Sequence, residues 1–137
     1  MKINKIILVL LLPLIITGCE TVEGFTNLFK SSAELVDVFT DADNNKSERF
    51  LYQNNTYNVL YKKQEEFHIV KVWPNLTKGF PNNSQSKNLA EAVAKTFIAY
   101  NHCKNLSVKI VQLTETDKIL NSEGYELVKY VAAITCK

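Results

Sequence analysis

The sequence predicts an α+β domain: a small antiparallel sheet of about four strands, in the order α-ββ-α-ββ, covered on one face by helix. Apolar residues recur three and four apart over residues 25–39 and again over 88–102, the period of an amphipathic helix. Four short runs rich in Val, Ile, Tyr and Phe lie elsewhere, each bounded by polar or turn-forming residues. The runs come in pairs, which favours hairpins and an antiparallel sheet over a parallel one.

The first helix is expected from Phe25, Leu28, Phe29, Ser32, Leu35, Val36 and Phe39, with Asn27, Lys30, Ser31, Glu34 and Asp37 between them. It should pack on the domain's own sheet, the alternative being a helix that lies on a membrane or against a partner. A helix lying on a membrane normally has a Lys/Arg-rich polar face, and here that face holds one Lys and two acids. Residues 41–47 are polar and read as a loop. Residues 49–52 could close the helix or form a short strand before Gln53, Asn54 and Asn55.

Tyr57, Val59 and Tyr61 alternate on one face of the first clear strand, and residues 67–73 form a second. The polar stretch 62–66 between them is short enough for a hairpin turn. Pro74 should end the pairing, and residues 75–87, with Gly79 and Pro81, read as a long exposed loop. Asn88 with Glu91 has the form of a capping box. It opens a second helix whose stripe is Leu89, Ala92, Val93, Thr96, Phe97 and Tyr100, ending near His102. Residues 108–113 and 125–135 form the last hairpin, with a polar connection over 114–123. Val128, Tyr130, Ala132 and Ile134 share one face of its second strand.

Ahead of the domain, Lys2 and Lys5 precede an apolar run over residues 6–16, interrupted by Pro13, and then Thr17, Gly18 and Cys19. The run is too short for a spanning helix, which needs roughly 20 apolar residues, and the pattern is that of a secretory signal peptide. With Cys directly after Gly18, it resembles the lipobox signal of bacterial membrane lipoproteins, over residues 1–19 only. That resemblance implies that residues 1–18 are removed and that Cys19 becomes a lipidated N-terminus carrying palmitate or a similar acyl chain. In that family an Asp after the Cys retains the protein at the inner membrane. Glu20 therefore implies the outer membrane, with the domain facing the periplasm or the cell surface. The expected organisation is a signal peptide (1–18), a lipidated N-terminus with amphipathic helix and linker (19–48), and an α+β domain (49–137).

The formal charge of the whole chain is +2, from 16 Lys and Arg against 14 Asp and Glu. Lys2 and Lys5 leave with the leader, so the remainder is neutral, and nothing suggests the clustered basic face of a nucleic-acid binder. With Cys19 lipidated, Cys103 and Cys136 remain as a pair in an exported protein and are expected to form a disulfide. The end of the last strand should lie beside the start of the strand before it, which brings the two cysteines together.

No catalytic kit is evident, so the chain is read as a non-enzyme without cofactors. His68 reads as an exposed or hydrogen-bonded strand residue. A structural zinc site would need His68, His102, Cys103 and Cys136 all to converge, so no metal is expected. A Cys-His nucleophile would need a free thiolate. The glycines form no phosphate loop, and Gly-x-Ser-x-Gly is absent. Aromatics cluster near the first hairpin, where sheet packing competes with recognition as their role. Tyr57, Tyr61, Trp73, Asn75, Lys78 and Phe80 are the candidate binding surface. The expected function is a lipid-anchored envelope protein that binds or scaffolds another envelope protein. The alternative is an inhibitor or immunity-type lipoprotein that blocks a periplasmic toxin or hydrolase, and a hydrolase ranks third.

Overall fold

β-Branched and aromatic residues at period two build a six-stranded antiparallel sheet in the computed structural model, which describes residues 35–40, 43 and 46–137. The leader, Cys19 and the part of the first expected helix before residue 35 lie outside the described residues. The elements are β1 (Glu48–Tyr52), β2 (Asn55–Gln64), β3 (Phe67–Pro74), β4 (Phe80–Pro81), α1 (Ser84–His102), β5 (Val108–Leu120) and β6 (Glu126–Cys136). The sheet runs β1-β2-β3-β6, with β5 on the far edge of β6. β3 pairs with residues 130–134 of β6 and β4 with residues 127–128, so the short β4 continues the same edge. Among the described residues no helix is long and apolar enough to cross a membrane.

The broad α+β expectation holds, but the sheet has six strands rather than about four. Residues 48–52 form a strand, joined to β2 by a two-residue turn in which Gln53 and Asn54 have φ of 49° and 68°. Those signs are the ones a type I′ hairpin turn demands. β2 continues through Lys62 and Lys63 to a tight turn at Glu65, because main-chain pairing is indifferent to side-chain polarity. β4 falls inside the expected loop. It forms because Gly79 lets the chain approach β6 closely: a Cβ there would lie 2.8 Å from the Val128 carbonyl oxygen.

The helix starts at Ser84, one turn before the expected Asn88. Asn83 is its cap, and its Oδ1 accepts a 2.8 Å hydrogen bond from the Ser86 N–H. β4 fixes that cap by leading the chain directly into it. The buried face is Ser86, Ala90, Val93, Ala94, Phe97, Ile98 and Ala99. The expected stripe is therefore rotated, and Tyr100 is 69% exposed. Small residues at 90 and 94 let the helix sit close to the sheet, where it meets β3, β5 and β6. The core beneath it contains Val59, Val70, Val72, Phe80, Val128, Tyr130, Ala132 and Ile134.

The polar stretch 114–120 is strand, not connection. β5 pairs with β6 across two irregularities, one between Ile110 and Gln112 and one between Thr116 and Ile119. Asp117 lies in the second with φ 53°, a conformation that Asp tolerates better than most residues. The bulge carries its carboxylate to 2.7 Å from Lys71 Nζ and 3.7 Å from Lys129 Nζ. Lys129 also lies 4.2 Å from the centre of the Trp73 ring. This network occupies the sheet face opposite α1, which also carries the buried Leu60, Phe67, Ile69, Val131 and Ala133. Near β2, Lys62 Nζ donates to the Val38 carbonyl at 2.9 Å and to Asp43 at 3.1 Å, tying the described residues before β1 to the sheet.

The Lys71 side chain is only 7% exposed, so loss of its partner strands a buried cation. Asp117→Ala is expected to lower unfolding free energy by about 2 kcal/mol, below the full cost of breaking a buried pair because Asp117 itself is partly solvated. Lys71→Met removes the charge along with the need for it and should cost clearly less. Urea unfolding of both variants checks this, and equal losses would contradict it.

Candidate functional site

Two places in the fold gather chemistry. The first is a corner at the end of the sheet reached by the C-terminus of α1. Strand register builds it. His68 pairs with Ile134 and follows the helix-side period of Val70 and Val72, so its ring lies on the helix side of β3. Tyr61 shares that side of β2, and Cys136 shares that side of β6 two residues beyond Ile134. The 19 residues of α1 span about 28 Å at the helical rise. That length carries His102 and Cys103 from the β4 end of the sheet to the same corner.

Cys103 and Cys136 form a disulfide there, with Cα atoms 5.5 Å apart. Val108 pairs with Cys136, the placement the hairpin argument requires. Around the bridge, Tyr61 Oη lies 2.7 Å from His68 Nδ1, and His68 Nε2 lies 3.5 Å from Cys136 Sγ. The His102 ring stacks on Tyr61 with centroids 3.7 Å apart, and its carbonyl oxygen is 3.4 Å from Cys136 Sγ. His68 is thus a buried strand residue, hydrogen-bonded to Tyr61 on the neighbouring β2. Three of the four metal-capable side chains, His68, Cys103 and Cys136, bring ligand atoms within 4.8 Å of one another, while the His102 ring stacks on Tyr61 beside them. Position in sequence hid this, because His68 and Cys136 meet only through the β3–β6 pairing.

Burial, then the neighbouring charges of His102 and Lys63, lowers the His68 pKa. Burial also lowers that of His102, with Lys63 adding to it and Glu48 opposing.

The second place is a groove of about 460 Å³ at the opposite end of the helix. Its walls come from the β1–β2 turn, the chain after β3, β4 and the first turns of α1. Tyr57 and Phe80 stack in its floor with centroids 6.0 Å apart. Leu76 and Leu89 extend the apolar lining, while Asn54, Asn55 and Asn75 supply amides. The residues lining it include no carboxylate, imidazole or thiol. The segment that carries Leu76 is pinned on both sides. The Asn75 N–H donates to the Thr56 carbonyl at 3.1 Å, and Thr77 Oγ1 donates to the Gly79 carbonyl at 2.8 Å. Leu76 nevertheless stands 95% exposed.

The sequence-derived binding surface divides between these places and a third. Tyr57, Asn75 and Phe80 meet in the groove. Tyr61 lies four residues along β2 from Tyr57, about 13 Å at the strand rise, and belongs to the disulfide corner. Trp73 is buried on the opposite sheet face under Lys129, because one residue along a strand reverses the face. Lys78 is exposed in the loop before β4. Leu76 and Leu89 were not singled out from sequence. The helical period places Leu89 in the core stripe, and an exposed leucine in a polar loop carries no periodic signal.

The bridge closes a long loop, and its removal by Cys103→Ala with Cys136→Ala should destabilise the domain by roughly 3–4 kcal/mol on the loop-entropy model. A loss below about 1 kcal/mol would show that the bridge adds little to the packing. The histidine pKa values, lowered from the ordinary 6.5, make the unfolded chain the better proton acceptor in mild acid. Stability should therefore fall as pH drops through about 6.5, levelling once the lower folded-state values are passed. His68→Phe should flatten part of that slope in denaturation measured from pH 7 downward, and an unchanged slope would contradict the assignment.

No protein-family model matches the chain, and neither a curated protein nor a solved structure matches it.

Proposed function

We propose that this chain is a lipid-anchored protein of the bacterial envelope that acts by binding another envelope protein and carries out no catalysis of its own. The anchoring half rests on the leader pattern: Lys2 and Lys5, the short apolar run, and Cys19 directly after Gly18. A Cys103–Cys136 bridge suits an exported domain. The binding half rests mainly on the groove. It is apolar, uncharged and rimmed with amides, which suits an apolar side chain of a partner flanked by its own main-chain amides. An anchor adds to such a contact by concentrating the domain at the surface where an envelope partner resides.

A second reading has one observation in its favour. Leu76 stands out from a segment pinned on both sides, as expected of a rigid loop offered to an enzyme cleft. On that reading the chain is an inhibitor or immunity-type lipoprotein.

Two experiments test the proposal. Labelled fatty acid should be incorporated by the wild-type protein and lost with Cys19→Ser. Absence of label in the wild type would remove the anchor. A photocrosslinking residue at Asn75 in growing cells should capture an envelope protein, and Leu76→Asp should abolish the adduct. The same crosslinker at Lys95, on the solvent side of α1, should give none. Capture that survives Leu76→Asp would contradict the groove as the docking site. An adduct with a secreted toxin or hydrolase, together with loss of that enzyme's activity on mixing, would select the inhibitor reading.

A further inference from the structure

The disulfide corner carries more than a cross-link. Cys103 Sγ, Cys136 Sγ and one ring nitrogen of His68 all lie within 4.8 Å of one another. A tetrahedral zinc ion with bonds of about 2.0–2.3 Å needs its ligand atoms roughly 3.3–3.8 Å apart. His68 Nε2 is already 3.5 Å from Cys136 Sγ. Cys103 Sγ lies within 4.8 Å of the His68 ring nitrogen, and the two sulfurs are too close because they are bonded to each other. Breaking that bond lets them separate by small side-chain rotations, with the backbone held by the β5–β6 pairing and by α1.

We propose that reduction of the Cys103–Cys136 disulfide turns this corner into a zinc site, with Cys103 Sγ, Cys136 Sγ and His68 Nε2 as ligands and water in the fourth position. The proposal is independent of the groove and of its partner. A dithiol supplies the two electrons: its sulfurs become a disulfide, and Cys103 and Cys136 each become a thiol. Zinc binding then releases both thiol protons to solvent as the two Zn–S bonds form, and no further redox change is needed.

Two further features favour this assignment. The first is the partner of His68 Nδ1. A metal-bound histidine normally donates its other ring N–H to a fixed acceptor, which sets the tautomer and aims the free lone pair. Here Tyr61 Oη stands 2.7 Å from Nδ1, while Nε2 faces the sulfurs. The tyrosine hydroxyl serves both states. It donates to Nδ1 when Nε2–H points at the bridge, and it accepts from Nδ1–H when Nε2 binds metal. The second feature is access. His68 is buried, whereas Cys136 at the end of β6 and His102 beside it are exposed, so a reductant and an ion can both reach the corner. Tyr61 is held in turn by the His102 ring stacked on it at 3.7 Å.

The test uses the mature-length protein, reduced with a phosphine that is then removed under anaerobic conditions. Zinc is titrated in competition with a chromophoric chelator. Cobalt is titrated separately to read the thiolate-to-metal charge-transfer band, and near-ultraviolet circular dichroism follows the packing around Trp73. The reduced wild type should bind one equivalent of zinc, and the oxidised protein none. His68→Ala should weaken binding at least 10-fold, and Tyr61→Phe, which keeps the ring stack, about 10-fold through lost orientation. If reduction loosens the fold, zinc should restore the circular dichroism of the wild type but not of His68→Ala. Failure of the reduced wild type to bind zinc, or equal affinity in the wild type and His68→Ala, would overturn the proposal.

Discussion

Main-chain pairing along both edges of β6 is the constraint on which the rest of the structure depends. One edge bonds β3 and then β4, and the other bonds β5 over almost its full length. Residues 130–134 are buried on both faces of the strand. Alanines at 132 and 133 keep both faces of the strand shallow at this point. Helix α1 lies over Val128, Tyr130, Ala132 and Ile134, and the reverse side carries Val131 and Ala133. The strand thus settles which residues face α1, and through its partners it settles the same for β3 and β5.

The two candidate sites are the two ends of this arrangement. At one end Gly79 allows β4 to close on Val128, which seats Phe80 beneath Tyr57 and shapes the groove. At the other end the last residue of β6, Cys136, meets the residue that follows α1, Cys103. On the face of the sheet opposite α1, Lys71 and Lys129 share Asp117 as their partner. Burial raises the Asp117 carboxyl, but the hydrogen bond from Lys71 and the charges of Lys71 and Lys129 bring it below its ordinary value. Burial and the charge of Lys71 lower Lys129, with Asp117 opposing. A bulge in β5 places the one acid where two lysines need it.

Periodic elements were legible in the sequence, and non-periodic ones were not. The alternation of Tyr57, Val59 and Tyr61 and that of Val128, Tyr130, Ala132 and Ile134 name the helix-side residues correctly, because successive side chains of a strand point to opposite faces. The pairing of Cys103 with Cys136 followed from the cysteine count of an exported chain and from the hairpin that brings the two together. β4 was invisible because two residues, Phe80 and Pro81, between Gly79 and Asn82 have no period, and it exists only through contact with β6. The start of α1 was displaced by one turn because Asn83 and Asn88 are both chemically suitable caps, and only the approach from β4 selects the first. The polar stretch 114–120 reads as loop because an edge strand with bulges need not alternate. The metal-capable corner was legible as a list of residues but not as a place: His68 and Cys136 are far apart in sequence, and the register of β3 on β6 joins them.

Native-state hydrogen exchange tests the organising role of β6 most directly. Amides of residues 128–134 that bond to β3 or β5 should exchange only through global unfolding, with protection equal to the full unfolding free energy. Their partners in the centre of β3 should match them, while β1 and residues 117–120 of β5 should open earlier through local fluctuations. Early exchange throughout β6, with the strongest protection in β1 and β2 instead, would contradict the account.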